Sequence, residues 1–256
     1  MRILVIPDTQ ISPGSPTRHL EYAGMYAVDK KPDVIVDLGD HWDLDSIGVY
    51  DIGTTKGEGQ RYALDIEAGV KAMKVFLRPI WDDQERARKH KKTIWKPRMV
   101  FTLGNHEDRI TRLLEKDPKL NGFISLDDLE LESMGWEVYD FKDPVFIEDV
   151  GFCHYFVSGQ MGRPCCSARS MLMKKHMSCI MGHVQDRDIA EAKRADGKRL
   201  TCLFAGIFYD EDKAYLNPQT NTSWSGIWML NEVERGSFDL LPISLNYLER
   251  KYGGYK

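Results

Sequence analysis

Met99-Val100-Phe101-Thr102-Leu103-Gly104-Asn105-His106-Glu107 is the stretch that decides the fold. A buried-type strand runs into a glycine and then into an amide, an imidazole and a carboxylate. That order places polar side chains at the carboxyl end of a strand, where α/β sheets bind their ligands. Three other stretches repeat it. Ile3-Leu4-Val5-Ile6 leads to Asp8-Thr9-Gln10, Val34-Ile35-Val36-Asp37-Leu38 leads to Gly39-Asp40, and Cys179-Ile180-Met181 leads to Gly182-His183-Val184-Gln185. Four such ends belong together in space. Their Asp, Asn, His and Gln side chains offer oxygen and nitrogen to a metal, with no thiolate among them, so a structural zinc site is excluded.

Between these blocks the chain alternates. Residues 11–18 read as a loop, 19–30 as a helix and 61–78 as a second helix with 3.6-residue periodicity. The glycine-bearing residues 45–60 read as an irregular loop. Helical signals recur around 126–134 and over 167–176. Behind Trp136 the chain is strand-rich, with strands expected at 137–139, 145–147, 152–156, 200–208, 226–232 and 238–241. No internal repeat or linker divides the 256 residues, so a single domain is expected. Apolar residues at 42% and charged residues at 29% fit a globular chain and exclude disorder as the whole answer. A net charge of −4 does not suit a general polyanion binder. No apolar run approaches the ~20 residues of a membrane span, and the start lacks a signal-peptide core. Five cysteines without a Cys-x-x-Cys pair read as reduced thiols. A soluble, intracellular protein is expected.

In order, the four blocks resemble the calcineurin-like metallophosphoesterase superfamily, whose pattern is Asp-x-His, Gly-Asp, Gly-Asn-His-Glu/Asp, a lone His and Gly-His-x-His. The resemblance covers roughly residues 1–190. It implies a four-layer α/β/β/α sandwich with two mixed β-sheets. It implies a phosphoester hydrolase in which two divalent ions share a hydroxide that attacks phosphorus. By the same resemblance Asp8 is a ligand of the first ion, Asp40 bridges the two, and Asn105 and His183 hold the second. His106 contacts the phosphate and assists the leaving group. His154 is taken as the lone histidine, with His176 as its rival. Asp43, three residues after Asp40, would orient His106 as an acid–imidazole dyad. The arginine that follows this aspartate in phosphoprotein phosphatases is replaced by Leu44, which turns the expectation toward phosphodiesters. Arg109 is a candidate for holding a phosphate oxygen through its planar fork, with a helix-surface position as the alternative.

Gln10 and Gln185 stand where the superfamily has histidine. The first site would then be Asp8, Gln10, Asp40 and Gln185, without an imidazole. Amide oxygens are harder and weaker ligands, so Mn²⁺ is favoured, with Mg²⁺, Fe or Zn²⁺ as alternatives. The pairing of Asp-x-Gln with Gly-His-x-Gln is similar to a phage and prophage branch. The basic run 85–98 offers a nucleic-acid contact and hence a nuclease as an alternative function. It reads first as a solvated loop, with Trp95 as its anchor. A third reading is a non-catalytic scaffold with a degenerate first site. Residues 45–98 could form a substrate cap. His41 reads as a surface-loop histidine, and His19 and His90 as solvated. The aromatic C-terminal third, with Trp224, Trp228 and Tyr247, reads as core or as a contact in a homo-oligomer.

Overall fold

Ile3, Leu4, Val5 and Ile6 are buried on both faces, as a strand inside a covered sheet must be. The computed structural model describes residues 1–48, 59–209 and 223–254. Residues 49–58 of the expected irregular loop lie outside the described residues. The first sheet has the order β11 (Ser237–Ser244), β10 (Gly226–Glu234), β1 (Ile3–Ile6), β2 (Val34–Asp37), β3 (Arg98–Thr102) and β4 (Glu137–Tyr139). β1 through β4 are parallel, while β10 is antiparallel to β1 and β11 to β10. The second sheet has the order β5 (Val145–Ile147), β6 (Val150–Cys153), β7 (Ser178–Met181), β9 (Arg199–Ala205) and β8 (Arg187–Lys193). Its central strands β6, β7 and β9 are parallel, and both its edges are antiparallel. Both sheets are therefore mixed.

Side-chain alternation along the strands stacks four layers. Ile3, Val5, Val34, Val36 and Val100 meet Val150, Phe152, Ile180 and Leu203 in the core between the sheets. On the other face of the first sheet, Leu4, Ile6, Ile35 and Phe101 pack against α1 (Arg18–Lys30), α2 (Tyr62–Lys89) and α5 (Leu245–Tyr252). Cys179, Met181, Cys202 and Phe204 receive Ala168, Met171 and Leu172 of α4 (Ala168–Lys175) on the far side of the second sheet. The remaining helix, α3 (Asp108–Lys116), starts beside the Gly-Asn-His-Glu block.

Several expectations change. The helix expected at 61–78 continues through Pro79 to Lys89, and its apolar stripe of Val70, Met73, Phe76, Leu77 and Ile80 is buried as far as Ile80. Gly24 of α1 allows the close approach there: a Cβ on it would strike the Phe76 carbonyl. Within the 45–98 insertion, Tyr62–Lys89 forms a helical layer of the sandwich. The helical signals at 126–134 resolve into two 3₁₀ turns, Leu126–Leu129 and Glu132–Met134. β8 and α5 had no counterpart in the sequence reading. β8 is an edge strand whose charged, largely exposed sequence carries little apolar alternation.

The basic run sits at the amino ends of the parallel strands. The Trp95 indole N–H donates to the Pro32 carbonyl at 2.9 Å, and Arg98 N–H to Asp33 at 3.0 Å. Trp95 is the anchor expected. Trp228 is core, Trp224 packs against it at a tilt with ring centroids 4.5 Å apart, and Tyr247 is exposed. Among the described residues, no helix is long and apolar enough to cross a membrane.

His19 is buried, not solvated: α1 turns it inward, edge-on to Phe208 with ring centroids 5.1 Å apart. Burial and the neighbouring His41 lower its pKa to about 4. The unfolded chain, titrating near 6.5, binds the extra proton first, so this contribution to stability is complete above pH 6.5 and lost as pH falls toward 4. At pH 5 the loss is about 2 kcal/mol. His19→Phe is expected to narrow its stability gap to the parent by that amount between pH 7 and pH 5 in urea titrations. A gap independent of pH would place His19 in water.

Candidate metal centre

The residues that follow β1, β2, β3, β6 and β7 converge at one edge of the two sheets. The loops after β1 and β2 are laced together: Gln10 N–H donates to the Asp40 carbonyl at 2.9 Å, Ile11 N–H to that of His41 at 2.7 Å, and Asp43 N–H to that of Ile11 at 3.0 Å. Four non-glycine residues in the turns after β1, β2 and β7 adopt left-handed backbone, Gln10 (φ 43°), Asp40 (φ 51°), Leu44 (φ 49°) and His183 (φ 64°). Such conformations persist only where the surroundings over-determine them, and they gather at functional sites.

The glycines of the blocks are explained by the carboxylates beside them. A Cβ on Gly104 would strike Asp40 Oδ1, and one on Gly182 would strike Asp8 Oδ1. Backbone amides occupy the same carboxylates. His106 N–H donates to Asp40 Oδ1 at 2.9 Å, and His183 N–H reaches both Asp8 oxygens at 3.0 and 3.1 Å. Glu107, of undefined role in the sequence, is a clamp. Its Oε2 accepts Asp40 N–H (2.9 Å) and Gly104 N–H (2.8 Å), and its Oε1 accepts Trp42 N–H (3.0 Å). It ties the turn after β2 to the turn after β3.

Asp40, His154 and His183 form a group that could hold a metal ion, with ligand atoms all within 4.8 Å of one another. His154 stands one residue past β6 and has no solvent exposure. The sequence placed it inside a strand. His176 caps the C-terminus of α4 in left-handed backbone and is not in the group. The His154 Nδ1–H donates to the Leu38 carbonyl at 2.8 Å. Its Nε2 therefore points at Asp40 Oδ2 (3.3 Å) and Asn105 Oδ1 (3.0 Å). Ligands at ~2.0–2.2 Å from one ion and near right angles lie ~3 Å apart, so this spacing fits a shared cation. A ring nitrogen tied to a backbone carbonyl is also the usual support of a metal-bound imidazole.

The electrostatics call for positive charge. Burial and the Asp40 charge raise Asp8 to about 7 against the pull of His154. Burial raises Glu107 and Asp37 too. Burial also works against ionised Asp40, but the charge and hydrogen bond of His154 win and hold it below the usual carboxylate range. His154 rises to about 9 in return, although its burial opposes that. Burial and the His154 charge depress His183 to about 4, leaving an imidazole free to ligate.

At the edge of the group, His106 Nδ1 is 2.9 Å from Asp43 Oδ1 and 2.8 Å from the Asp43 carbonyl, so the two residues of the expected dyad are in contact. Burial opposes a charged His106, yet the bond to Asp43 and the Asp40 charge raise it to about 9. Its Nε2 stands 3.7 Å from Asp40 Oδ2. Arg109 lies half-buried on α3 with its guanidinium turned onto the loop after β2. Its Nη1 donates to the Asp43 and Leu44 carbonyls at 2.7 and 3.2 Å, and its Nη2 lies 3.3 Å from His106 Nε2. The backbone of Gln10 is tied to the Asp40 carbonyl, and the Gln185 carbonyl accepts Trp224 N–H at 3.4 Å.

His41 is corrected. It is 1% exposed, with Thr9 Oγ1 on Nδ1 at 2.7 Å and the Gly69 carbonyl at 3.0 Å from Nε2. Burial lowers its pKa to about 4. The neutral ring ties the loops carrying Asp8 and Asp40 to α2, a partner 28 residues away that local sequence does not reveal.

No protein-family model matches the chain, and no curated protein matches it.

Glu107→Gln would turn an amide NH₂ toward at least one of three backbone donors. A loss of about 1–3 kcal/mol is expected in urea unfolding, the cost of a buried unsatisfied donor. Unchanged stability would remove Glu107 from its clamp role.

Proposed function

We propose that the protein is a metal-dependent phosphoester hydrolase working with two divalent ions. The observation that carries this reading is His154 Nε2, aimed at Asp40 Oδ2 and Asn105 Oδ1 while Nδ1 is tied to Leu38. In this reading Asp40, Asn105, His154 and His183 hold one ion. Asp8, Gln10, Asp40 and Gln185 hold the other, a weaker site of oxygen donors that suits Mn²⁺ or Mg²⁺ better than Zn²⁺. Bound ions would acidify a water and neutralise phosphoryl oxygens. The protein's own groups supply the rest. Asp43 fixes the His106 ring, whose Nε2 faces the ligand group and offers a hydrogen bond or proton to the departing oxygen. Glu107 and the buried loop ladder keep these donors in place without reorganisation.

The expectation of phosphodiesters rested on the arginine missing at Leu44. Arg109 reaches that same backbone from α3, so this ground for a diesterase falls away. The nuclease reading needed the basic run on the rim of the site. The run lies at the opposite ends of the parallel strands, ~16 Å of strand away, and gives that reading no support. The two glutamines keep a non-catalytic scaffold as the competing reading.

The test is metal content together with turnover of chromogenic phosphate esters in added Mn²⁺. Bound metal and Mn²⁺-dependent hydrolysis are expected, and Asp40→Asn is expected to lower both, turnover by about 100-fold or more. Less than one ion per chain with no turnover would favour the scaffold. Gln10→His combined with Gln185→His is expected to tighten the weaker site and shift its preference toward Zn²⁺ in calorimetric titrations. Unchanged affinities would strike both glutamines from the ligand set.

A further inference from the structure

We infer that Arg109 sets the ester class of this site. Braced against His106, it forms a guanidinium cradle for an anionic phosphoryl oxygen, which selects a phosphomonoester over a diester. The inference rests on the hydrolase reading above.

The guanidinium is divided between two tasks. Nη1 is spent on the Asp43 and Leu44 carbonyls, which fixes the group in place. Nη2 is turned the other way, to 3.3 Å from His106 Nε2. From that Nε2 a step of 3.7 Å leads to Asp40 Oδ2. The spare N–H bonds of Arg109 thus open on the same space as the working nitrogen of His106, at the border of the ligand group. Arginine has only donors and keeps its proton. His106 Nε2 accepts one Nη2 N–H, and the second hydrogen on Nη2 is left to meet a substrate oxygen. Arg109 is half-buried, so its charge is weakly screened there.

Hydrolysis makes a bond from the water oxygen to phosphorus and breaks the bond to the alcohol oxygen. That oxygen keeps the electron pair and takes up a proton, and the other product is phosphate. Attack in line leaves three equatorial oxygens on phosphorus. If two bound ions each neutralised one of these, the third would find its partner on the protein. In a monoester the third is a bare anionic oxygen, which suits the Arg109 Nη2. In a diester it carries a carbon substituent. That substituent would press into the corner held by Arg109, and the cation would face an oxygen with little charge.

The experiment compares p-nitrophenyl phosphate with bis(p-nitrophenyl) phosphate in Mn²⁺, for the parent, Arg109→Gln and Arg109→Lys. In parallel, calorimetry in Mn²⁺ follows binding of inorganic phosphate and of dimethyl phosphate. The parent is expected to prefer the monoester. Arg109→Gln is expected to lower monoester kcat/KM by about 10–100-fold more than diester kcat/KM, the worth of one hydrogen bond to a charged group. Arg109→Lys should recover part of that difference. Equal losses on both esters would reduce Arg109 to a strut of the Asp43 loop and overturn the inference. A parent that hydrolyses neither ester sinks the hydrolase reading, and the binding arm then decides the inference separately. Weaker binding of phosphate but not of dimethyl phosphate in Arg109→Gln upholds the cradle, and parallel changes reject it.

Discussion

Carboxylates taken out of water must be compensated, and this fold buries four of them together: Asp8, Asp37, Asp40 and Glu107. Each is met by backbone N–H groups, from His183, Gly39, His106 and the three amides that Glu107 clamps. Those amides are available only because strands end there, and they reach the carboxylates only because Gly104 and Gly182 carry no side chain. The left-handed residues in the loops are a further cost of the same arrangement. Amides alone supply partial charge. His154 is the one imidazole in hydrogen-bonding reach of Asp40 Oδ2, and the acids around it still hold several groups away from their ordinary titration. Asp40, His154 and His183, brought together in this dry place, form a group that could hold a metal ion.

Much of this was legible in the chain. Gly104 and Gly182 announced themselves because a carboxylate against a Cα leaves a mark at a fixed offset from a strand. The strands themselves were legible because burial on both faces makes an unbroken apolar run, as in Ile3–Ile6. Where a residue's role depends on a distant partner, the sequence was silent. His41 looked like a surface histidine because nothing near it foretells the Gly69 carbonyl. His19 looked solvated because the apolar stripe of α1 does not reveal what its first turn meets. β8 lacked a clean period because it is a charged edge.

Arg109 and Leu44 show the same principle from the other side. A comparison by position finds an arginine missing after Asp43. A comparison in space finds a guanidinium resting on the carbonyls of residues 43 and 44, delivered from α3, 66 and 65 positions along the chain. The chemistry of a site depends on where charge stands, and a long side chain can bring it from a different segment.

The ligand spacing is finally a property of the sheet packing. Asp40 and Asn105 come from the first sheet, while His154 and His183 come from the second. The bond from His154 to the Leu38 carbonyl crosses between them, one residue before Gly39 and two before Asp40. The bond from His183 N–H to Asp8 crosses again. Behind these links the interior face of Val5, Val36, Phe152 and Ile180 is closely filled. A packed core resists sliding of one sheet over the other, so it sets the 3.0–3.3 Å spacing at the far edge as firmly as the hydrogen bonds do. The core between the sheets and the polar edge beyond it are one mechanical unit, in which apolar packing fixes the distance at which the donors stand.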